Sequence, residues 1–131
     1  MEGQTIQQLR AKYALAHVQE AAKKASLHKE YKSYASTLPA MIHMNGLGQA
    51  AAFFRSKSTT HIMLYSLLSK WLCSEGQPYS GCDDLLDGIT SRDMHTYRLA
   101  QAEAQALMDW VKKFAKAFMN DDEDAEKGET R

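Results

Sequence analysis

Three groupings of side chains in this sequence have types and spacings that could do chemistry. Asp83, Asp84 and Asp87 lie close together, and Asp84 and Asp87 share a helical face, a spacing that could hold a divalent cation. Acids in the first turn of a helix also complement its dipole, which accounts for them without a metal. Cys73 and Cys82 are separated by eight residues, outside the C-x2-4-C spacing of zinc sites, and read as two ordinary thiols. Gly46-x-Gly48-x-x-Ala51 formally fits the dinucleotide fingerprint, which needs a strand before it, a helix after it and an acid about 20 residues on. Residues 41–44 are too short for a buried strand, and residues 65–72 contain no acid. The five histidines, at positions 17, 28, 43, 61 and 95, pair neither with each other nor with acids at ligand spacing. There is no His-Glu-x-x-His, no phosphate loop with a lysine, and no Gly-x-Ser-x-Gly turn. His43 alone has a setting worth testing, and packing in a core or interface is its expected role. The chain reads as a non-enzyme, with no cofactor and no metal.

What remains is charge. Lys and Arg total 16, as do Asp and Glu, so the formal net charge is zero. The distribution is uneven. Asp121, Asp122, Glu123, Asp124, Glu126 and Glu129 face only Lys127 and Arg131 at the end of the sequence. Residues 1–70 hold nine basic residues against Glu2, Glu20 and Glu30. A basic front with an acidic tail suits a partner that carries phosphates, although a solvated helical surface would look the same.

The elements that must position these residues are helices. Of 131 residues only 7 are glycine and 2 proline, too few for a sheet protein with many tight turns. At 44% hydrophobic and 24% charged, the composition is that of a soluble globular domain. The expectation is an all-α fold: a compact single-domain bundle of about five to seven helices over residues 1–119, with a disordered acidic tail over 120–131. Thr5 should cap a first helix reaching about residue 25, with Gln8, Lys12, Gln19 and Lys23 as a narrow polar stripe. So little polar face implies contact on a second side. A second helix is expected over 27–36, then a restart at Thr37 or Leu38 that places Pro39 in a first turn. That short helix should stop at Asn45-Gly46 in the left-handed conformation, and the next should run over 48–56. Thr59 or Thr60 should cap a helix to about residue 73, whose Leu64, Leu67, Leu68 and Trp71 make a clean apolar face. Residues 74–81 read as a loop and 83–89 as a short acid-capped helix. Ser91 should start the longest helix, ending near residue 119, with a core stripe of Tyr97, Ala100, Ala104, Leu107, Val111, Phe114 and Phe118. Trp110 falls beside that stripe, half exposed. No secretory signal or apolar run long enough to span a membrane is present, which points to the cytoplasm and reduced thiols.

The joint carries a resemblance. Asn45-Gly46-Leu47-Gly48-Gln49-Ala50 after Leu38-Pro39 resembles the signature of the small, fifth subunit of the type III-B CRISPR Cmr RNA-silencing effector complex. Arg10-Ala11-Lys12-Tyr13-Ala14, Tyr31-Lys32-Ser33-Tyr34, Tyr97-Arg98-Leu99-Ala100 and Trp110-Val111-Lys112-Lys113-Phe114-Ala115 are similar to that family too. Together these matches span residues 6–118. The resemblance implies a helical bundle without an active site that stacks beside copies of itself along a filament. Its other partners would be the backbone RNase subunit and the guide–target RNA duplex, read by phosphate position and shape.

The candidate RNA-binding residues are surface cations on the basic front. Lys32, Arg55 and Lys57 flank the joint and come first, then Lys12 and Lys23 on the first polar stripe, then Arg98 and Lys112. Asn45 and Gln49 could add neutral hydrogen bonds to sugar or phosphate, or cap the helix ends. The alternative is a helical protein–protein adaptor with no nucleic-acid contact, which the narrow polar stripe and a half-exposed Trp110 would also suit.

Overall fold

A computed structural model describes residues 3–120. It contains α1 (Ile6–Ala22), a 3-10 turn (Ala25–Leu27), α2 (His28–Asn45), α3 (Leu47–Arg55), α4 (Thr59–Leu72), α5 (Leu85–Ser91) and α6 (Met94–Phe118), with no strand among the described residues. The expected all-α bundle is what forms. The expected acidic tail lies outside the described residues, apart from Asn120.

Local chemistry sets most helix starts. Thr5 opens α1 with a capping box: its hydroxyl accepts from Gln8 N–H at 3.1 Å, and Gln8 Oε1 accepts from Thr5 N–H at 2.8 Å. The first helix stops three residues earlier than its pattern suggested. Its last carbonyls tighten into 3-10 contacts, and the His28 ring bonds Ala22 O at 2.7 Å. Asp93, not Ser91, caps α6 by accepting from Thr96 N–H at 2.9 Å; Ser91 instead ends α5. Ser58, not Thr59 or Thr60, caps α4, and it also meets His61 Nδ1 at 2.8 Å.

The expected break before Pro39 does not occur. The second helix runs unbroken from His28 to Asn45 with Pro39 buried inside it. A mid-helix proline forfeits one backbone bond and crowds the carbonyl four residues back, a cost of about 3 kcal/mol. Here that neighbour is the fully buried Ala35, and burial of Leu38, Pro39 and Ile42 offsets the loss. Gln105 Nε2 also donates to the Pro39 carbonyl at 3.2 Å, which fixes the helix against α6.

α6 is the axis of the bundle. α1 lies parallel to it: Ile6 shares a groove with Leu99 and Glu103, while His28, just past α1, accepts from Asn120 N–H, just past α6. α2 runs the opposite way, from that end back to Tyr97 and Gln101. α4 runs antiparallel to α1. Near its start Thr60 donates to Glu30; further along Leu67 O accepts from the Tyr13 hydroxyl at 2.6 Å; at its end Trp71 reaches Glu103. Leu64, Leu67, Leu68 and Trp71 are all buried, as their spacing requires. In α6 the stripe is buried at Ala100, Ala104, Leu107 and Val111, but Phe118 remains exposed.

Residues 74–81 form turns, and Tyr79 from this segment is fully buried against α5. A Cβ on Gly88 would fall 2.5 Å from Tyr79 Cγ, the root of the ring, one methylene from that residue's own backbone. Gly88→Ala is therefore expected to lower stability by about 2 kcal/mol through overpacking. Urea unfolding checks this as a lower midpoint at unchanged m; an unshifted midpoint would mean α5 can slide off Tyr79.

Candidate nucleic-acid interface

The α2–α3 joint is a single residue. Gly46 is at once the last cap of α2 and the first of α3, with φ 89° and ψ 158°. Its φ is positive, as the sequence suggested, but its ψ is extended, outside the left-handed helical region and open only to glycine. α3 has no cap of its own. Leu47 N–H donates to Gln101 Oε1 at 2.9 Å and Gly48 N–H donates to the Tyr97 hydroxyl at 2.8 Å. The caps come from α6, across the fold, and neither Asn45 nor Gln49 supplies one. Both of those side chains are exposed, as is His43, so of the two packing roles expected for it, core or interface, the core one is excluded.

Arg55 ends α3 and Lys57 follows it, both exposed. The Lys57 ammonium sits over the Phe53 ring, 4.8 Å from its centroid. Behind it His61 stacks on Tyr34 at 3.8 Å and meets Phe54 edge-on at 4.8 Å. Burial chiefly, and then the nearby Lys57 charge, pushes the His61 pKa down, with Glu30 opposing. These rings give the Arg55–Lys57 corner a rigid base.

The other candidates are spread out. Lys12 is exposed and lines a groove with Ile6, Leu9, Trp71 and Gln77. Lys23 is exposed and pairs with Glu20 at 3.0 Å, with both side chains more than 70% exposed, so the pair contributes little. Lys32 is half-buried, one turn after His28 on the side of α2 that faces α6, whereas Glu30 and Tyr34 face α4. Lys32 is thus turned away from the Arg55–Lys57 corner. Arg98 is exposed early in α6, and Lys112 is half-buried near its end. Arg10 is committed elsewhere, in a two-bond pair with Glu103.

Parallel packing of α1 and α6 gathers cations that the sequence reading passed over. Lys24, Lys29 and Lys116 join Lys23 where α1 and α6 end and α2 begins. The signal available was positional: lysines just past one helix end, in the last turn of another and in the first turn of a third. It became legible only once those turns were known to share an end. Asp84, considered as a cation ligand, instead accepts from the Tyr65 hydroxyl at 2.7 Å, Ser69 Oγ at 3.3 Å and Leu86 N–H at 3.4 Å. It locks α5 to α4.

A family profile described as CRISPR-associated protein (Cas_Cmr5) matches residues 6–118. The fold is similar to the X-ray crystal structure of a CRISPR-associated Cmr5 family protein from Thermus thermophilus, with TM-score 0.76 and 29% sequence identity. That match covers 89% of this chain and 100% of the other. With the joint at Gly46, the six described helices and both similarities in hand, the chain belongs to the CRISPR-associated Cmr5 family that its sequence resembles.

Proposed function

We propose that this protein is the non-catalytic small subunit of a type III-B CRISPR RNA-guided RNA-targeting complex in the cytoplasm. The family match over residues 6–118 carries the reading. In it, residues 1–119 form the helical domain and 120–131 an acidic tail. The domain stabilises the filament by packing against the backbone RNase subunit and neighbouring copies of itself. Ile6, Leu9, Met94 and Leu99 support that role, because they leave large apolar side chains exposed where α1 and α6 begin. Exposed cations contact the phosphates of the guide–target duplex, while base pairing supplies specificity.

The Arg55–Lys57 corner is the best point at which to test RNA contact, because both residues are exposed and the rings beneath them are packed. Reversing Lys32 would also disturb a half-buried position. Arg55→Glu with Lys57→Glu is expected to weaken target RNA binding by the assembled complex and to flatten log K against log salt by about two units. An unchanged slope would remove this corner from the RNA surface. The whole reading is tested by purifying the tagged protein from its own cell at moderate salt. Short RNAs sharing a repeat-derived end, with a multi-subunit assembly, are expected. A single protein partner without RNA would favour the adaptor reading, which the same exposed apolar end would serve.

A further inference from the structure

Three side chains fall on one side of α3 at steps of four: Gln49, Phe53 and Lys57. Residues four apart on a helix are surface neighbours. The winding carries past Arg55, because Ser56 N–H donates to Ala52 O and Lys57 N–H to Phe54 O. All three side chains are exposed. Phe53 is 39% exposed, and the Lys57 ammonium rests over its ring. Phe54 and His61 hold that ring from the side: both centroids lie 6.2 Å away, with planes tilted by 58° and 83°, so neither lies flat on it. A ring steadied in this way, with a flexible cation over its face, is a platform that a flat group can take.

The surroundings favour an anion. Residues 31–74 contain Lys32, Arg55, Lys57 and Lys70 and no acid. Glu30, whose charge reaches His61, already accepts from the Thr60 hydroxyl at 3.0 Å. Arg55 lies about 200° round the helix from Phe53, toward Tyr65, which donates to Asp84. Arg55 and Asp84 therefore belong to the other side of α3. An amide, an aromatic face and a cation in a row match the parts of one nucleotide.

We propose that Gln49, Phe53 and Lys57 form a site for one unpaired nucleotide of RNA. Phe53 stacks the base, Lys57 takes the phosphate, and the Gln49 amide bonds the sugar or the base edge. The site deepens the RNA-contact reading above and rests on it. A phosphate draws the Lys57 ammonium off the ring and bares the face for the base. That exchange is favourable. An exposed cation–π contact is worth about two- to fivefold, whereas a base stacked on an aromatic side chain is worth about five- to 150-fold. Every base has a flat face, so the site needs no sequence and suits RNA whose specificity is set by pairing. A base inside the duplex is already stacked and paired, so only an unpaired one is free to enter.

Photo-crosslinking in the assembled complex tests this. Target RNAs carry a single 4-thiouridine, moved one position at a time through the paired region and its flanks. Links to residues 49–57 are expected from an unpaired position only, and its place tells a nucleotide extruded from the duplex from one in a flank. Links to 49–57 from paired positions, or links to this subunit only elsewhere, would overturn the site and leave RNA contact standing. No link to this subunit would overturn both. An abasic nucleotide at the linked position is expected to weaken binding about fivefold. Phe53→Leu keeps apolar bulk at an exposed position, so the fold is retained; it should weaken binding equally and abolish the abasic effect. Phe53→Trp should preserve binding and the abasic effect alike. An undiminished abasic effect in Phe53→Leu would overturn the stacking. Loss of the Phe53→Leu subunit from the complex would make Phe53 an anchor for protein and overturn the proposal as well.

Discussion

Glu103→Ala is expected to lower the unfolding free energy by about 3–5 kcal/mol, the largest effect of any single change considered. Glu103 Oε2 accepts from Arg10 Nε at 2.6 Å and from the Trp71 indole N–H at 2.7 Å, and Oε1 accepts from Arg10 Nη2 at 2.8 Å. One carboxylate therefore ties α1, α4 and α6 together. Its side chain is 12% exposed and that of Arg10 13%, so the pair is shielded well enough to matter. The Glu103 bonds hold the guanidinium proton more tightly than usual, against the opposing effect of burial. Removing the carboxylate strands a largely buried cation and an unpaired indole N–H. Glu103→Gln keeps a neutral acceptor and should cost less, about 1–2 kcal/mol. Replacing both Arg10 and Glu103 by methionine should recover most of the loss, since no stranded charge remains. Urea unfolding of the three variants reads these differences. A loss below about 1 kcal/mol for Glu103→Ala would mean that the pair behaves like an exposed surface bridge.

Gly46→Ala is expected to cost about 3 kcal/mol, for two separable reasons. The backbone at φ 89° and ψ 158° is strained for any residue with a side chain. The new Cβ would also lie 3.2 Å from the Tyr97 hydroxyl, the group that accepts from Gly48 N–H. Moving Tyr97 to make room uncaps α3, whose position sets that of Arg55 and Lys57. A double-mutant cycle separates the two terms. In a Tyr97→Phe background the crowding and the cap are already gone, so the remaining cost of Gly46→Ala is backbone strain alone. The cycle should show a coupling of about 0.5–1 kcal/mol; strict additivity would mean that Tyr97 and the joint act independently.

Elements governed by neighbouring residues were legible. The apolar face of α4 needed only the helical period, and Thr5 with Gln8 needed only three residues of separation. The Gly46 joint was legible as a stop because no other residue takes that φ at low cost. Where the reading slipped, a distant group intervened. The proline rule expects a break before Pro39, yet packing of Leu38 and Ile42 and the bond from Gln105 keep α2 whole. The caps expected at Thr59 or Thr60 and at Ser91 were misplaced by one or two residues, because several side chains in each stretch could serve and packing selects among them.

For the candidate surface the division is sharper. Which residues are cations, and that the front half of the chain is basic, follows from the sequence. Which cations share a face does not, because Lys23 and Lys116 lie 93 positions apart and meet at one end only through parallel packing of α1 and α6. The sequence by itself determined the helical class, the apolar stripes, the glycine joint and the family, since each depends on short-range spacing. Only the tertiary structure decided that Tyr97 and Gln101 cap α3, that Glu103 withdraws Arg10 from the surface, and that Lys32 turns away from Arg55 and Lys57. Those outcomes depend on contacts between residues far apart in the chain, chosen by how the apolar stripes dock together.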